Sequence, residues 1–316
     1  MRVPRRTNLL FGFVGLAAAI AFLLSALGAF PPGIADLINR SWPVILVIFG
    51  LGILLRDRVR LGGLIALVIG AALVGGMATT AFSSRATGQR TDYTAPINQP
   101  IAAGINLLRV SVQTLSTDVE IVRSLDATII KGEFVGSSES LLQTTYTEGD
   151  DKTANLIITE THPNQFPLLE RMGRGRFRLE LPANVPLDVD FKGGDGALSL
   201  NMSGLSLERL NMDLIKGNAL VTLPAYQPLG TQGDASLGTF VVREGDITVF
   251  VPQTVAARFQ LNRGGSGLDP KYSSVDFNYL VGDILEAKNF DSAPIKLRYA
   301  ITAPRGQISI EPSATQ

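Results

Sequence analysis

The 316-residue chain contains no cysteine and a single histidine, His162. Without thiols there is no disulfide scaffold, no thiolate-bound zinc or iron–sulfur centre and no cysteine nucleophile. One histidine removes most histidine-based metal sites and leaves any Ser-His-Asp triad dependent on that residue. Net charge is missing too: 28 Lys and Arg balance 28 Asp and Glu, and only 18% of the chain is charged. A free-standing nucleic-acid binder would carry a basic excess, so no nucleic-acid partner is expected. A disordered chain would lack the 46% hydrophobic content seen here.

The neutrality is the sum of two unlike regions. Residues 1–90 hold nine Arg and only two acids, Asp36 and Asp57, a net of +7, and residues 91–316 carry −7. Asn8 to Phe30 and Leu61 to Phe82 contain no charge. Each exceeds the ~20 residues that cross a bilayer as a helix. Val44 to Leu55 is apolar but shorter. It reaches spanning length if the helix starts near residue 38, with Arg40 snorkelling and Trp42 at the interface. A half-inserted segment is the alternative there.

The sequence therefore predicts a membrane region over residues 1–82, with spans at about 8–30, 38–55 and 61–82. Three spans place Arg2, Arg5 and Arg6 on the same side as Arg56, Arg58 and Arg60. The positive-inside asymmetry then predicts a multi-pass cell-membrane protein with a cytoplasmic N-terminus and an extracytoplasmic chain from residue 91. A cleaved signal peptide over residues 1–30 is the rival reading. Neither long run holds an Asp, Glu, Lys or His, which leaves a transporter nothing to work with.

Residues 83–106 are rich in Ser, Thr, Gly, Gln and Pro and read as a flexible linker. From 107 to 311 the apolar residues recur at period two, as in Leu108-Val110-Val112, Phe177-Leu179-Leu181 and Ile295-Leu297-Tyr299-Ile301. Such runs, punctuated by Gly, Asn, Asp and Pro, are short strands with one buried face. Ser137–Thr144 is the one weak helix candidate, and residues 312–316 form a tail. A degenerate repeat is also present: Val189 to Leu200 aligns without gaps on Met212 to Leu223, an offset of 23 that superimposes Gly194 on Gly217. Strand, tight turn and strand recurring every 20–25 residues predicts a single coiled sheet, a β-solenoid; an antiparallel β-sandwich is the alternative.

Two segments carry a family resemblance. Trp42-Pro-Val-Ile-Leu-Val-Ile-Phe-Gly-Leu-Gly-Ile-Leu-Leu55 resembles the Trp-Pro and aliphatic segment of LiaF-type membrane proteins. The Gly-Asp-Gly-Ala-Leu-Ser-Leu style of repeat is similar to their C-terminal toastrack domain. The resemblance implies a membrane-anchored, β-solenoid-like module in cell-envelope stress sensing, beside a membrane sensor kinase. It brings no catalytic residues with it.

The remaining motifs offer little chemistry. Gly193-Gly194-Asp195-Gly196 lacks the following Gly-Lys-Ser/Thr and helix that a phosphate loop needs, and so reads as a repeat turn. Asp188 and Asp190 share a strand face, Glu148-Gly149-Asp150-Asp151 reads as a hairpin turn, and His162 sits in a turn-like Thr-His-Pro-Asn. No catalytic residue, metal site or cofactor is expected. The exception to the trend is Arg171, Arg174, Arg176 and Arg178, four cations within eight residues of an otherwise acidic region. On the outer side of a membrane they are candidates for binding anionic lipid headgroups or a phosphate polymer.

The expected function is non-enzymatic: a sensor or adaptor whose extracytoplasmic β domain binds an envelope component, membrane lipid, a sensor kinase or another envelope protein. One alternative is a structural module that forms homo-oligomers by stacking open solenoid edges. The other is a membrane-bound hydrolase of an envelope polymer, for which no acid pair can be placed.

Overall fold

The computed structural model describes residues 88–126, 128–164, 171, 173–229, 236–265 and 267–313, together with isolated helical positions at 50, 68, 69, 72 and 76. The chain divides into two compact units, Met1–Gly88 with His162–Gly173, and Gln89–Thr161 with Arg174–Gln316. Among the described residues no helix is long and apolar enough to cross a membrane. The spans expected at 8–30, 38–55 and 61–82 fall outside those residues, apart from the isolated positions above.

The second unit is built from two sheets. Sheet I runs, in spatial order, β1 (Tyr93–Pro100), β4 (Ile129–Gly136), β7 (Gly175–Leu181), β3 (Thr117–Arg123), β9 (Leu198–Asn201), β11 (Ala219–Thr222), β13 (Ile247–Pro252), β19 (Ile308–Ser313) and β15 (Lys271–Tyr272). Sheet II runs β16 (Phe277–Leu280), β17 (Ile284–Ala287), β14 (Ala256–Asn262), β18 (Lys296–Thr302), β12 (Thr239–Glu244), β10 (Leu207–Lys216), β8 (Leu187–Asp195), β2 (Leu107–Thr114), β6 (Thr153–Thr161) and β5 (Leu141–Glu148). Their buried side chains form one hydrophobic cluster, so the inward faces meet.

The chain coils. It leaves a sheet II strand, turns a corner into sheet I, and comes back to lay the next sheet II strand alongside: β2 to β3, β8 to β9, β10 to β11, β12 to β13, β18 to β19. Successive coils are parallel in both sheets. Parallel stacking at the centre of each sheet rules out the antiparallel sandwich and supports the solenoid reading, but with two sheets where a single coiled sheet was expected. Spatial order also departs from chain order. Coil β6–β7 lies outside β2–β3, and coil β14–β15 lies outside β18–β19. Antiparallel strands β1, β4, β5, β16 and β17 complete the ends.

The period-two pattern works as the sequence implies. In sheet I, Leu179, Ile121, Leu200, Val221, Val249 and Ile310 lie side by side across six strands, all fully buried. In sheet II, Val112, Phe191, Met212, Phe240 and Ile301 form the matching row, and the Phe240 ring stacks on Tyr299 at 4.7 Å. Each row is a continuous hydrocarbon column that no single coil could bury alone.

The corners set the register. Gly196, Gly217, Gly245 and Gly306 occupy equivalent positions in stacked coils, and a Cβ on each would run into a carbonyl oxygen of the coil beside it (Thr117, Gly196, Gly217 and Gly245 respectively). Gly217 and Gly245 also have φ values of 133° and 136°, where side chains are strained. The next residues form a ladder: the carboxylate of Asp118 accepts from Ala197 N–H (2.8 Å), Asn218 Oδ1 from Asp246 N–H (3.0 Å), and Asp246 Oδ1 from Gln307 N–H (2.8 Å). At the first corner, fully enclosed Glu160 of β6 does the same job. Its carboxylate accepts from Leu115 N–H (2.7 Å), Ser116 N–H (3.3 Å), and the Thr117 and Ser140 hydroxyls (2.8 and 3.1 Å).

Three expectations need correction. Gly217 stacks on Gly196, and Val189, Phe191 and Leu198 pair with Leu210, Met212 and Ala219, so the repeat offset is 21 residues rather than 23. A two-residue slip preserves which face is buried, so apolar alternation cannot tell the two registers apart; backbone contact at the corner does. Ser137–Thr144 is not helical, because residues from Leu141 form β5, an edge strand whose two-sided exposure blurs the alternation. Within the stretch read as linker, Tyr93–Pro100 forms β1, with Ile97 buried and Tyr93 against Phe134 at 6.0 Å between ring centres. Its prolines are tolerated because it is an edge.

If the corner fixes the stack, Gly217→Ala should cost about 2–4 kcal/mol, since it combines backbone overlap with strained φ. Urea unfolding of the purified protein measures this; a change below about 0.5 kcal/mol would show that the corner yields freely.

Candidate anion-binding face

The outer face of sheet I presents the arginine cluster. Period-two geometry sends Phe177, Leu179 and Leu181 of β7 inward and Arg176, Arg178 and Glu180 outward. Arg174 precedes the strand and pairs with Gln89 in a parallel bridge, its carbonyl accepting from Arg90 N–H at 3.0 Å. Arg174, Arg176 and Arg178 thus share one face. Arg171 belongs to the other compact unit.

Acids from the flanking strands occupy the same face. Parallel pairing with β3 sets Asp118 beside Arg176 and Glu120 beside Arg178, and antiparallel pairing with β4 sets Glu133 beside Arg178. Arg178 Nη1 meets Glu120 at 2.7 Å and its Nε meets Glu180 at 3.3 Å. Partial burial opposes the charge of Arg178, but the Glu180 and Glu120 carboxylates outweigh it and hold the guanidinium above its usual pKa. Arg174 bridges Asp195 at 2.5 Å and Asp118 at 3.5 Å, with only 20% of its side chain exposed. Arg176 is exposed and donates to the Gln89 amide oxygen at 3.5 Å.

The cluster is therefore an alternating charge ladder, in which Arg176 is exposed and its side chain donates to an amide oxygen rather than to a carboxylate. Exposed pairs of this kind contribute little stability, ~0–1 kcal/mol each. What they fix is orientation. A phosphate arriving at Arg176 would find Arg174 and Arg178 already committed to carboxylates.

The strand leading into this face is pinned by Asp92, which accepts from Arg90 Nε at 2.8 Å and Ser138 N–H at 3.1 Å. Burial pushes the Asp92 carboxyl up, but the hydrogen bonds from Arg90 and Ser138 outweigh it and bring the pKa down to about 2.

The other sequence motifs settle into structural places. Gly193 to Asp195 close β8 and Gly196 turns the solenoid corner, and Glu148 to Asp151 joins β5 and β6, with Asp151 accepting from Thr153 N–H at 3.0 Å. Asp188 and Asp190 face outward on β8. Burial raises the Asp188 pKa, against the pull of Arg209 and Arg109, its neighbours in the register. Among the described residues no group of three or more acids or His is placed to hold a metal. The acids that neutralise the arginines were missed from sequence. Their signal, Asp118-Val-Glu120 at period two, acquires meaning only once β3 is known to lie beside β7.

A family profile described as the N-terminal domain of toast_rack, DUF2154, matches residues 86–249. No curated protein sequence matches the chain. A solved structure of a proposed cell adhesion protein from Clostridium sporogenes superimposes with a TM-score of 0.58 at 14% identity, covering 70% of this chain and 100% of that one. The shared feature is the fold. A proposed adhesin from Bacteroides fragilis aligns over 70% of this chain and 99% of its own at 11% identity, with a TM-score of 0.23.

The Asp92 contacts give a sign to acid sensitivity. A depressed folded pKa stabilises above the ordinary carboxylate value of ~3.9, and that contribution is lost as pH falls through about 2. Wild type should lose stability over this window, whereas Asp92→Asn should be less stable at neutral pH and show a flatter acid profile. Denaturant midpoints from pH 2 to 6 measure both; parallel profiles would contradict the assignment.

Proposed function

The chain belongs to the family of the N-terminal domain of toast_rack, DUF2154, and from that premise we propose that it is a membrane-anchored, non-enzymatic protein of the cell envelope. In this reading residues 1–82 anchor the chain and the β unit lies outside the cytoplasmic membrane. There it recognises a partner or envelope component within LiaF-type stress signalling. The observation that carries the reading is the order of parts: a toast_rack β unit over residues 86–249 directly follows the uncharged runs 8–30 and 61–82, and the charge changes from +7 to −7 between them.

The geometry suits recognition. A stacked coil offers long, rigid outer faces on which neighbouring strands display side chains at fixed spacing, and large surfaces of this kind serve binding in other repeat folds. Anionic headgroups or a phosphate polymer are the ligands proposed for the β7 face, with Arg176 as the contact residue. An adhesive role, as proposed for the Clostridium sporogenes protein, falls within the same class of function.

Two measurements test this. Asp150 lies exposed in the β5–β6 turn, and the chain has no cysteine of its own. Asp150→Cys should therefore react with an impermeant thiol reagent on intact cells; labelling only after lysis would overturn the topology. Arg176→Gln in the detergent-solubilised full chain should weaken binding of a soluble polyphosphate several-fold, with Arg178→Gln less affected because that cation is already paired. Equal binding by wild type and Arg176→Gln would remove the anion-binding assignment.

A further inference from the structure

The stack ends in four edge strands, and they differ in kind. β1 carries Pro96 and Pro100, which lack the N–H a new neighbour would need, so that edge is blunted. β5 shows a polar edge of Gln143, Thr144, Thr145, Thr147 and Glu148, and β15 is only two residues long. β16 is different. It is the last strand of sheet II, pairs only with β17, and contains no proline.

Around β16 the surface is apolar. Val281 at the β16–β17 tip is 98% exposed, Val275 just before the strand is 77% exposed, and Leu280 is also exposed. Tyr279 stacks on Tyr272 of β15 with ring centres 6.1 Å apart, so this aromatic pair closes the gap between the sheets while remaining more than a third exposed. Beside them a groove of about 360 Å³ is lined by Val251, Val255, Val275, Phe277 and Pro312 together with polar residues that include Asp276 and Lys288. Exposed apolar residues beside an unpaired strand edge mark an association surface.

We propose that this end of the solenoid pairs with a second copy of the chain, β16 against β16, in a closed two-fold dimer. Three features select a second copy. An antiparallel pairing of β16 centred on Asn278 sets Val281 of one copy opposite Val275 of the other, twice, at the mouth of each groove. The charges flanking the edge, Lys271 and Lys288 against Asp276 and Asp283, are balanced in an otherwise acidic unit, so two copies approach without the repulsion felt elsewhere. Head-to-tail stacking, which would give open filaments, would instead set this apolar edge against the polar edge of β5 at the far end of sheet II, with the proline-blunted β1 beside it in sheet I. The interface is isologous and independent of the anion-binding face.

The test uses the full chain in detergent. Light scattering should report the mass of two chains, and Leu280→Lys with Val281→Lys should halve it with no loss of thermal stability, since both side chains are exposed. Asn278→Cys should give a covalent dimer under mild oxidation, because directly opposed residues in an antiparallel pair lie within disulfide range. Leu125→Cys, fully exposed in the β3–β4 connection, should not. A monomeric wild type, a higher oligomer, a dimer that survives the two lysines, or the absence of the Asn278 cross-link would each overturn the proposal.

Discussion

Everything in the β unit depends on how closely one coil's backbone can approach the next at the corner. At Gly217 and Gly245 there is no room for a Cβ above the carbonyl below, and the φ values suit only glycine. That contact fixes the axial register of every parallel strand leaving the corner. The hydrophobic columns then follow, because Leu200 can lie against Ile121 and Val221 only if the turns stack first. The corner also supplies its own polar order, with Asp118, Asn218 and Asp246 each receiving a backbone N–H from the coil beside it. Hydrocarbon burial provides most of the stabilisation; the corner decides which of several equally apolar registers receives it.

This division of labour frees the outer faces. Inward side chains and corners hold the stack, so outward residues carry no packing duty and can hold charge. On β7 that charge is arranged in alternation with β3 and β4, in a largely neutralised row where exposed Arg176 donates to the Gln89 amide instead of to a carboxylate. The reversed placement of the terminal coils has a related effect. Because β18–β19 is inserted inside β14–β15, the distal end is finished by the β16–β17 hairpin, whose edge and tip are apolar where the proximal edge is blunted by proline.

Much of this was legible in the sequence. Period-two runs such as Phe177-Leu179-Leu181 identified strands and their buried faces, and the repeat pointed to a coil. The offset did not emerge, because 21 and 23 bury the same residues. β5 was hidden because an edge strand exposed on both faces has no alternation to read, and β1 because Pro96 and Pro100 look like linker residues until their strand is known to be an edge. The arginine row was visible as four cations, but its neutralisation by Glu120, Glu180 and Asp195 was not. Glu120 and Asp195 come from other coils, and contacts between coils are set by stacking rather than by proximity along the chain; only Glu180 shares β7 with the arginines.

The register is open to a direct measurement. Outward Ser199 of β9 lies beside Leu220 of β11, within the 4.4–6.8 Å Cα separation a disulfide requires, given strand spacing of ~4.8 Å. Thr222 lies two residues further along, about 8 Å from Ser199 by the same geometry. In a chain without native cysteine, Ser199→Cys with Leu220→Cys should oxidise readily to an internal disulfide, and Ser199→Cys with Thr222→Cys should stay reduced. Cross-linking of the second pair in preference to the first would contradict the corner-set register and the stacked architecture built on it.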